Sequence, residues 1–255
     1  MFGRARLKDF APGEGVRAGA FQERFDEEAW IPISVPGDVH RALLDAGRIE
    51  NPFYDRNEEK CRWIEDREWW YRMSFDGPHE PLQPDERLRL VFHGLDTFAT
   101  IYLNGEELGR HHNMFREAVF DVGDLVRSGE NTLAILFDRP LDHVGEEHPD
   151  QWGRNPERVF MRKAQFGFGW DWGPRLPTVG IWRPIELRRE LRASVEGVHF
   201  YTLDIDPTGE CAAVAVDEGH AAVLHGTDLI IVALHRQSPG APAASKSRWC
   251  LRRGR

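Results

Sequence analysis

A chain of 255 residues that is 41% apolar has the length for one large or two ordinary domains, and enough core-forming side chains to exclude disorder throughout. Its formal net charge of -9 at pH 7 argues against a nucleic-acid or anionic-membrane surface, because phosphates select an excess of Lys and Arg. No run approaches the roughly twenty apolar residues of a membrane span, and the opening MFGRARLKDF lacks the apolar core of a signal peptide, so the expected compartment is cytoplasmic.

The first clear element follows VPGDVHRALLDAGRI. Asp38 is placed to cap a short helix whose Val39, Ala42, Leu43 and Ala46 share one face, and Gly47 supplies a left-handed exit. From Trp69 the pattern turns to alternating, β-branched and aromatic residues: WWYRMSF, then RLRLVF, then TFATIYLNGEELG. In the last of these Asn104-Gly105 predicts a two-residue hairpin turn. MFREAVFDV follows, then a turn at 128–131 and the strand TLAILFD, in which Leu133, Ile135 and Phe137 point one way. Strands of this length with tight turns and one convincing helix predict an all-β fold, an antiparallel sandwich or jelly roll.

Residues 140–156 read as a long polar loop carrying His143, His148, Glu146 and Glu147. TVGIWRPIELRRE resumes strand character to about Glu190, and SVEGVHFYTLDI begins a further piece. Beyond it, CAAVAVDEGHAAVLHGTDLIIVALH is apolar but poorly punctuated, and RQSPGAPAASKSRWCLRRGR is basic and rich in Pro, Ala and Ser. The expected division is therefore 1–190, 191–235 and a disordered tail at 236–255.

The stretch QFGFGWDWGPRLP, residues 165–177, sets Asp171 between Trp170 and Trp172, with Gly167, Gly169, Gly173 and Pro174 around them. Sugars present apolar C–H faces and polar hydroxyl rims. An indole offers a plane for the first, and an ionised carboxylate accepts hydrogen bonds from two adjacent hydroxyls. Glycines would let the backbone turn sharply and approach a ligand. On composition alone, core tryptophans and a turn aspartate account for the same residues.

Other chemistry has less support. The histidines lack metal-ligand spacing, Cys61, Cys211 and Cys250 are too few and too far apart for a disulfide framework or zinc site, and no phosphate loop or nucleophile elbow occurs. No cofactor or metal is expected. The adjacent acids Glu65 and Asp66, read as lying on a strand, would point to opposite faces.

The ordered blocks from about Leu7 to Glu190, ending in RKAQFGFGWDWGPRLPTVGIWRPIEL, resemble the N-terminal domain of β-mannosidases of glycoside hydrolase family 2. The resemblance implies a galactose-binding-domain-like jelly roll packed beside a catalytic (β/α)-barrel. It implies that Trp170, Asp171 and Trp172 contact a terminal mannose, with Arg162 and Lys163 holding or steering their loop, helped by Gly169 and Gly173. Surface ion pairing is an equally good account of Arg162 and Lys163. The resemblance also implies that an immunoglobulin-like sandwich begins near Arg192. The Trp-bearing opening strand usual in such domains is missing before Leu7.

Retaining glycosidases need two carboxyls, which in this family are glutamates of the barrel, and a barrel alone takes about 250 residues. The chain is thus expected to recognise a mannoside or other saccharide without cleaving it, its catalytic partner being a barrel encoded downstream. The Ala- and Arg-rich ending reads as a truncation or a change of frame, which would leave an apolar, self-associating face. The alternative is a stand-alone carbohydrate-binding module. Such a module would bind saccharides unaided, whereas a half-site short of its barrel contacts would bind too weakly to detect.

Overall fold

The computed structural model describes residues 2–144, 156–191, 199–205, 212–217 and 249–250. The chain divides into two compact units, residues 1–82 with 88–188, and residues 83–87 with 189–255. The strands are β1 (Arg4–Phe10), β2 (Ile31–Ser34), β3 (Gly37–Asp38), β4 (Glu68–Asp76), β5 (Glu86–Phe92), β6 (Leu95–Asp96), β7 (Ala99–Leu103), β8 (Glu106–His111), β9 (Ala118–Asp121) and β10 (Glu130–Phe137). After them come β11 (Phe168–Trp170), β12 (Gly173–Arg175), β13 (Gly180–Ile181), β14 (Ile185–Leu191), β15 (His199–Ile205), β16 (Ala212–Asp217) and β17 (Trp249–Cys250). Three short helices, α1 (Glu14–Ala18), α2 (Val39–Asp45) and α3 (Asn57–Lys60), decorate them.

The first unit is a β-sandwich. One sheet has the order β2-β1-β4-β10-β7-β8, all antiparallel neighbours, and the strands facing it form the sheets β14-β5-β9 and β3-β13-β6. Leu133, Ile135 and Phe137 of β10 point into the core as the alternation predicts, beside Tyr71, Met73, Ile101 and Leu103, and meet Leu88, Leu90, Phe92 and Ile181 from the opposite side. The β7–β8 turn is the Asn104-Gly105 pair, with φ of 52° and 86° as a primed two-residue hairpin requires.

The other face of the six-stranded sheet is buried too. Trp70, Ala134 and Leu136 pack under residues 10–30, against Phe10, Phe21, Phe25 and Trp30, and Tyr102 stacks between Phe21 and Trp70 at 5.0 and 5.7 Å. Buried Arg72 secures this cover through the carbonyls of Ala20 and Gln22, at 2.6 and 2.9 Å, and Glu27 at 2.8 Å. Cover on both faces buries β4 almost throughout, its charged Glu68 and Arg72 included, rather than on alternate residues alone.

Several expectations need correction. Residues 1–37, read as having no clear element, hold β1, α1 and β2, and β1 is an interior strand of the large sheet. Ala46 is the exposed C-cap of α2 rather than part of its buried face. Glu65 and Asp66 lie on a 3-10 turn, Arg62–Asp66, because the chain tightens there before entering β4.

In the second unit β15 pairs antiparallel with β16, and β16 with β17. The strand β16 falls where punctuation was poor, and Trp249–Cys250 falls within the tail expected to be disordered. The rest of that tail lies outside the described residues, as do Glu146, Glu147 and His148 of the polar loop. Among the described residues no helix is long and apolar enough to cross a membrane.

Candidate functional site

The segment 165–177 folds as a hairpin on the rim of the sandwich. Phe168 pairs with Arg175 and Trp170 with Gly173, which leaves Asp171 and Trp172 as a two-residue tip. Neither tip residue has positive φ; the left-handed residue is Gly169, at 92°, one place before Trp170. The indoles stand edge to face with centroids 5.9 Å apart, and Arg158 lies 4.9 Å over the Trp170 ring. Trp170 is 52% exposed and Trp172 84%, so these are not core tryptophans.

Two charge pairs hold the base of the hairpin. Lys163, at its entrance, is 2% exposed and donates to Asp96 of β6 and to the Thr178 carbonyl at its exit, while the Thr178 hydroxyl donates to the second Asp96 oxygen at 2.6 Å. Burial pulls the Lys163 ammonium below the usual lysine range, and Asp96 opposes that pull. Lys163 is therefore no surface ion pair. Arg175 of β12 makes a two-pronged pair with Glu65, at 3.0 and 2.7 Å, with both side chains largely buried. Arg162 exposes its side chain and contributes its carbonyl, which accepts from the Met114 N–H at 2.9 Å. A Cβ at Gly173 would meet the Trp170 backbone nitrogen at 3.9 Å, an ordinary contact, and its φ is not positive, so neither space nor conformation demands glycine there.

Between the hairpin and α2 lies an open cleft of about 980 Å³, at the upper end of ligand-pocket sizes. Trp170, Trp172 and Phe166 wall one side, Pro52 and Phe53 contribute on another, and Asp38, His40, Asn51 and Thr178 supply polar groups. Asp171 does not line it, and it has no hydrogen-bond partner among the described residues.

Asp38 sits where β3 becomes α2. Its Oδ1 accepts the backbone N–H of His40 at 2.9 Å and of Arg41 at 3.3 Å, which caps the helix. The His40 Nδ1 stands 3.7 Å from the same oxygen, beyond hydrogen-bond length. Burial raises the Asp38 pKa, but the His40 ring and the cap N–H groups outweigh it and hold the carboxyl below its usual range. Gly180 pairs with Asp38 from β13 at φ 149°, and a Cβ there would come within 2.6 Å of the Gly37 carbonyl, so only glycine allows this approach.

The hairpin tip and Lys163 stand out in the sequence, whereas Asp96, Arg175 and Phe53 do not, Glu65 stands out only as one of two adjacent acids, and Asp38 only as a cap. Glu65 and Arg175 are separated by 110 residues and Asp96 and Lys163 by 67, so no local pattern joins them. Among the described residues no group of three His, Cys, Asp or Glu side chains could hold a metal ion.

A family described as the glycosyl hydrolase 2 galactose-binding domain-like domain matches residues 20–183. The chain is 38% identical over 179 residues to β-mannosidase B of Emericella nidulans, spanning 66% of this chain and 21% of that protein. It is 33% identical over 203 residues to β-mannosidase B of Aspergillus niger, spanning 76% and 24%. The chain thus covers about a fifth to a quarter of the curated relatives it matches. Among solved structures it superposes on the β-D-mannosidase of Dictyoglomus thermophilum with TM-score 0.71 and 33% identity, covering 87% of this chain and 25% of that one. The exo-chitosanase CsxA of Amycolatopsis orientalis, at 20% identity and TM-score 0.60, shares the fold.

Proposed function

Since the chain belongs to the glycosyl hydrolase 2 galactose-binding domain-like family, we propose that it is the sugar-recognition domain of a β-mannosidase-type glycoside hydrolase. The observation that carries this reading is the clamped hairpin, which holds two large indoles in solvent beside a cleft. Ordering exposed tryptophans without burying them has a use when a ligand supplies the missing apolar surface, as the C–H face of a pyranose does. In this role Trp170 and Trp172 stack on the sugar. Asp171, at the tip and outside the cleft, accepts hydroxyls of a ligand that projects past the rim. Lys163, with the backbone of Arg162, keeps the hairpin in register, and Gly169 gives the bend that sets the indoles.

Hydrolysis is assigned elsewhere. A retaining glycosidase uses a pair of carboxyls, whereas Asp38 is the one carboxylate lining the cleft among the described residues, and Glu65 is committed to Arg175. The two catalytic glutamates would belong to a barrel outside this chain. The cytoplasm is the compartment we propose.

A panel of aryl β-D-mannoside, β-D-glucosaminide and β-D-galactoside tests the reading. The chain is expected to release no phenol from any of them, and whatever saccharide signal saturation-transfer NMR records from a site short of its barrel contacts is expected to be strongest for the mannoside and lost in Trp170→Ala and Trp172→Ala. Preference for another sugar would overturn the β-mannosidase assignment. The stand-alone binding module is the second reading; strong saccharide binding by the chain alone would favour it.

A further inference from the structure

Resting on the reading of the β11–β12 hairpin as a sugar-binding element, we propose that Met114 and Trp182 are positioning residues for it: they form a brace, besides the two ionic clamps, that sets the line of the segment 162–164 and with it the direction in which Trp170 and Trp172 project. Met114 is buried in the loop between β8 and β9. Asn113 and Arg162 form a parallel bridge, and the Met114 N–H donates to the Arg162 carbonyl at 2.9 Å. A parallel ladder would next join the Ala164 N–H to the Met114 carbonyl. Instead the Ala164 N–H donates to the Met114 Sδ at 2.9 Å, and the Met114 carbonyl accepts from the Trp182 indole N–H at 3.2 Å.

The thioether thus stands in for a carbonyl, and the carbonyl ties the loop to a ring just beyond β13. That ring is itself fixed. The Trp182 backbone N–H donates to the Gly94 carbonyl at 3.2 Å, and a Cβ at Gly94 would come within 2.5 Å of the indole nitrogen, so the missing side chain leaves the notch that admits the ring. Arg183 lies 4.2 Å over its face. Lys163, between the two residues that Met114 holds, is meanwhile tied to Asp96. A thioether is a weak acceptor, so the brace draws its definition from three contacts converging on one residue. Exposed indoles inherit their orientation from the backbone beneath them, and this is the backbone that leads into theirs.

The test reads the hairpin without ligand. Met114→Leu nearly keeps the volume and removes the acceptor; Trp182→Phe keeps a ring and removes the donor. In the full 255-residue chain each variant is expected to keep cooperative melting and to raise amide exchange at Ala164 and 168–175 roughly fivefold over that in β4 and β10. The indole N–H signals of Trp170 and Trp172 should shift while those of buried Trp69 and Trp70 stay still. Selenomethionine, which keeps an acceptor in place of sulfur, should leave the wild-type pattern. A variant that changes neither exchange nor indole signals strikes its residue from the assignment, and a rise spread evenly into β4 and β10 overturns the proposal. Methyl β-D-mannopyranoside is then added. If the wild type binds it, both variants should bind several-fold more weakly, and undiminished binding overturns the positioning role. No binding by the wild type overturns the saccharide reading alone, because the brace is measured on the free chain.

Discussion

Asp38 shows how one side chain can be legible in part. Its position before Val39 and its type identify a helix cap from sequence, because capping is local chemistry. Its place in the cleft depends on a hairpin more than 120 residues away, which no local pattern reveals. The cap makes a prediction about acid. Folding lowers the Asp38 pKa, so its stabilising contribution is complete above about pH 4 and is lost as pH falls through the lowered value. Thermal melts between about pH 5 and 2 should show wild type losing more stability than Asp38→Asn; equal losses would contradict the account. Lys163 carries a larger effect. Replacing it with Met leaves the Asp96 carboxylate buried without its cation, at a cost of about 3–5 kcal/mol, read by urea unfolding.

Among the elements, those governed by short-range rules were readable. The Asn104-Gly105 hairpin, the strand β10 and the helix α2 each announce themselves within a few residues. The β11–β12 hairpin does not, since its turn lacks positive-φ residues and its strands are three residues each; what holds it is the pair of distant ionic clamps. The strand β1 was missed because RARLKDF alternates weakly and takes its place from partners β2 and β4. If the clamps order the hairpin, Glu65→Gln should cost about 1.5–3 kcal/mol and raise amide hydrogen exchange at 168–175 more than in β4 or β10. Uniform change across the sandwich would show that Glu65 supports the fold in general and not the hairpin.

At the scale of the whole molecule, sequence alternation pointed to a sandwich, and the structure adds that its large sheet is covered on both faces. Because Ile135 sits fully buried at the centre of the main core, Ile135→Ala should destabilise by about 2–5 kcal/mol without altering saccharide selectivity. The residues lining the cleft all belong to this sandwich, for which sugar recognition is the task we propose. The most direct measurement is an indole N–H NMR spectrum of the 15N-Trp-labelled chain during titration with methyl β-D-mannopyranoside, with methyl β-D-glucopyranoside as comparison. The account predicts saturable shifts of the Trp170 and Trp172 signals, larger for the mannoside, while buried Trp69 and Trp70 stay still. Unmoved Trp170 and Trp172 signals, or shifts spread evenly over all the indoles, would contradict it.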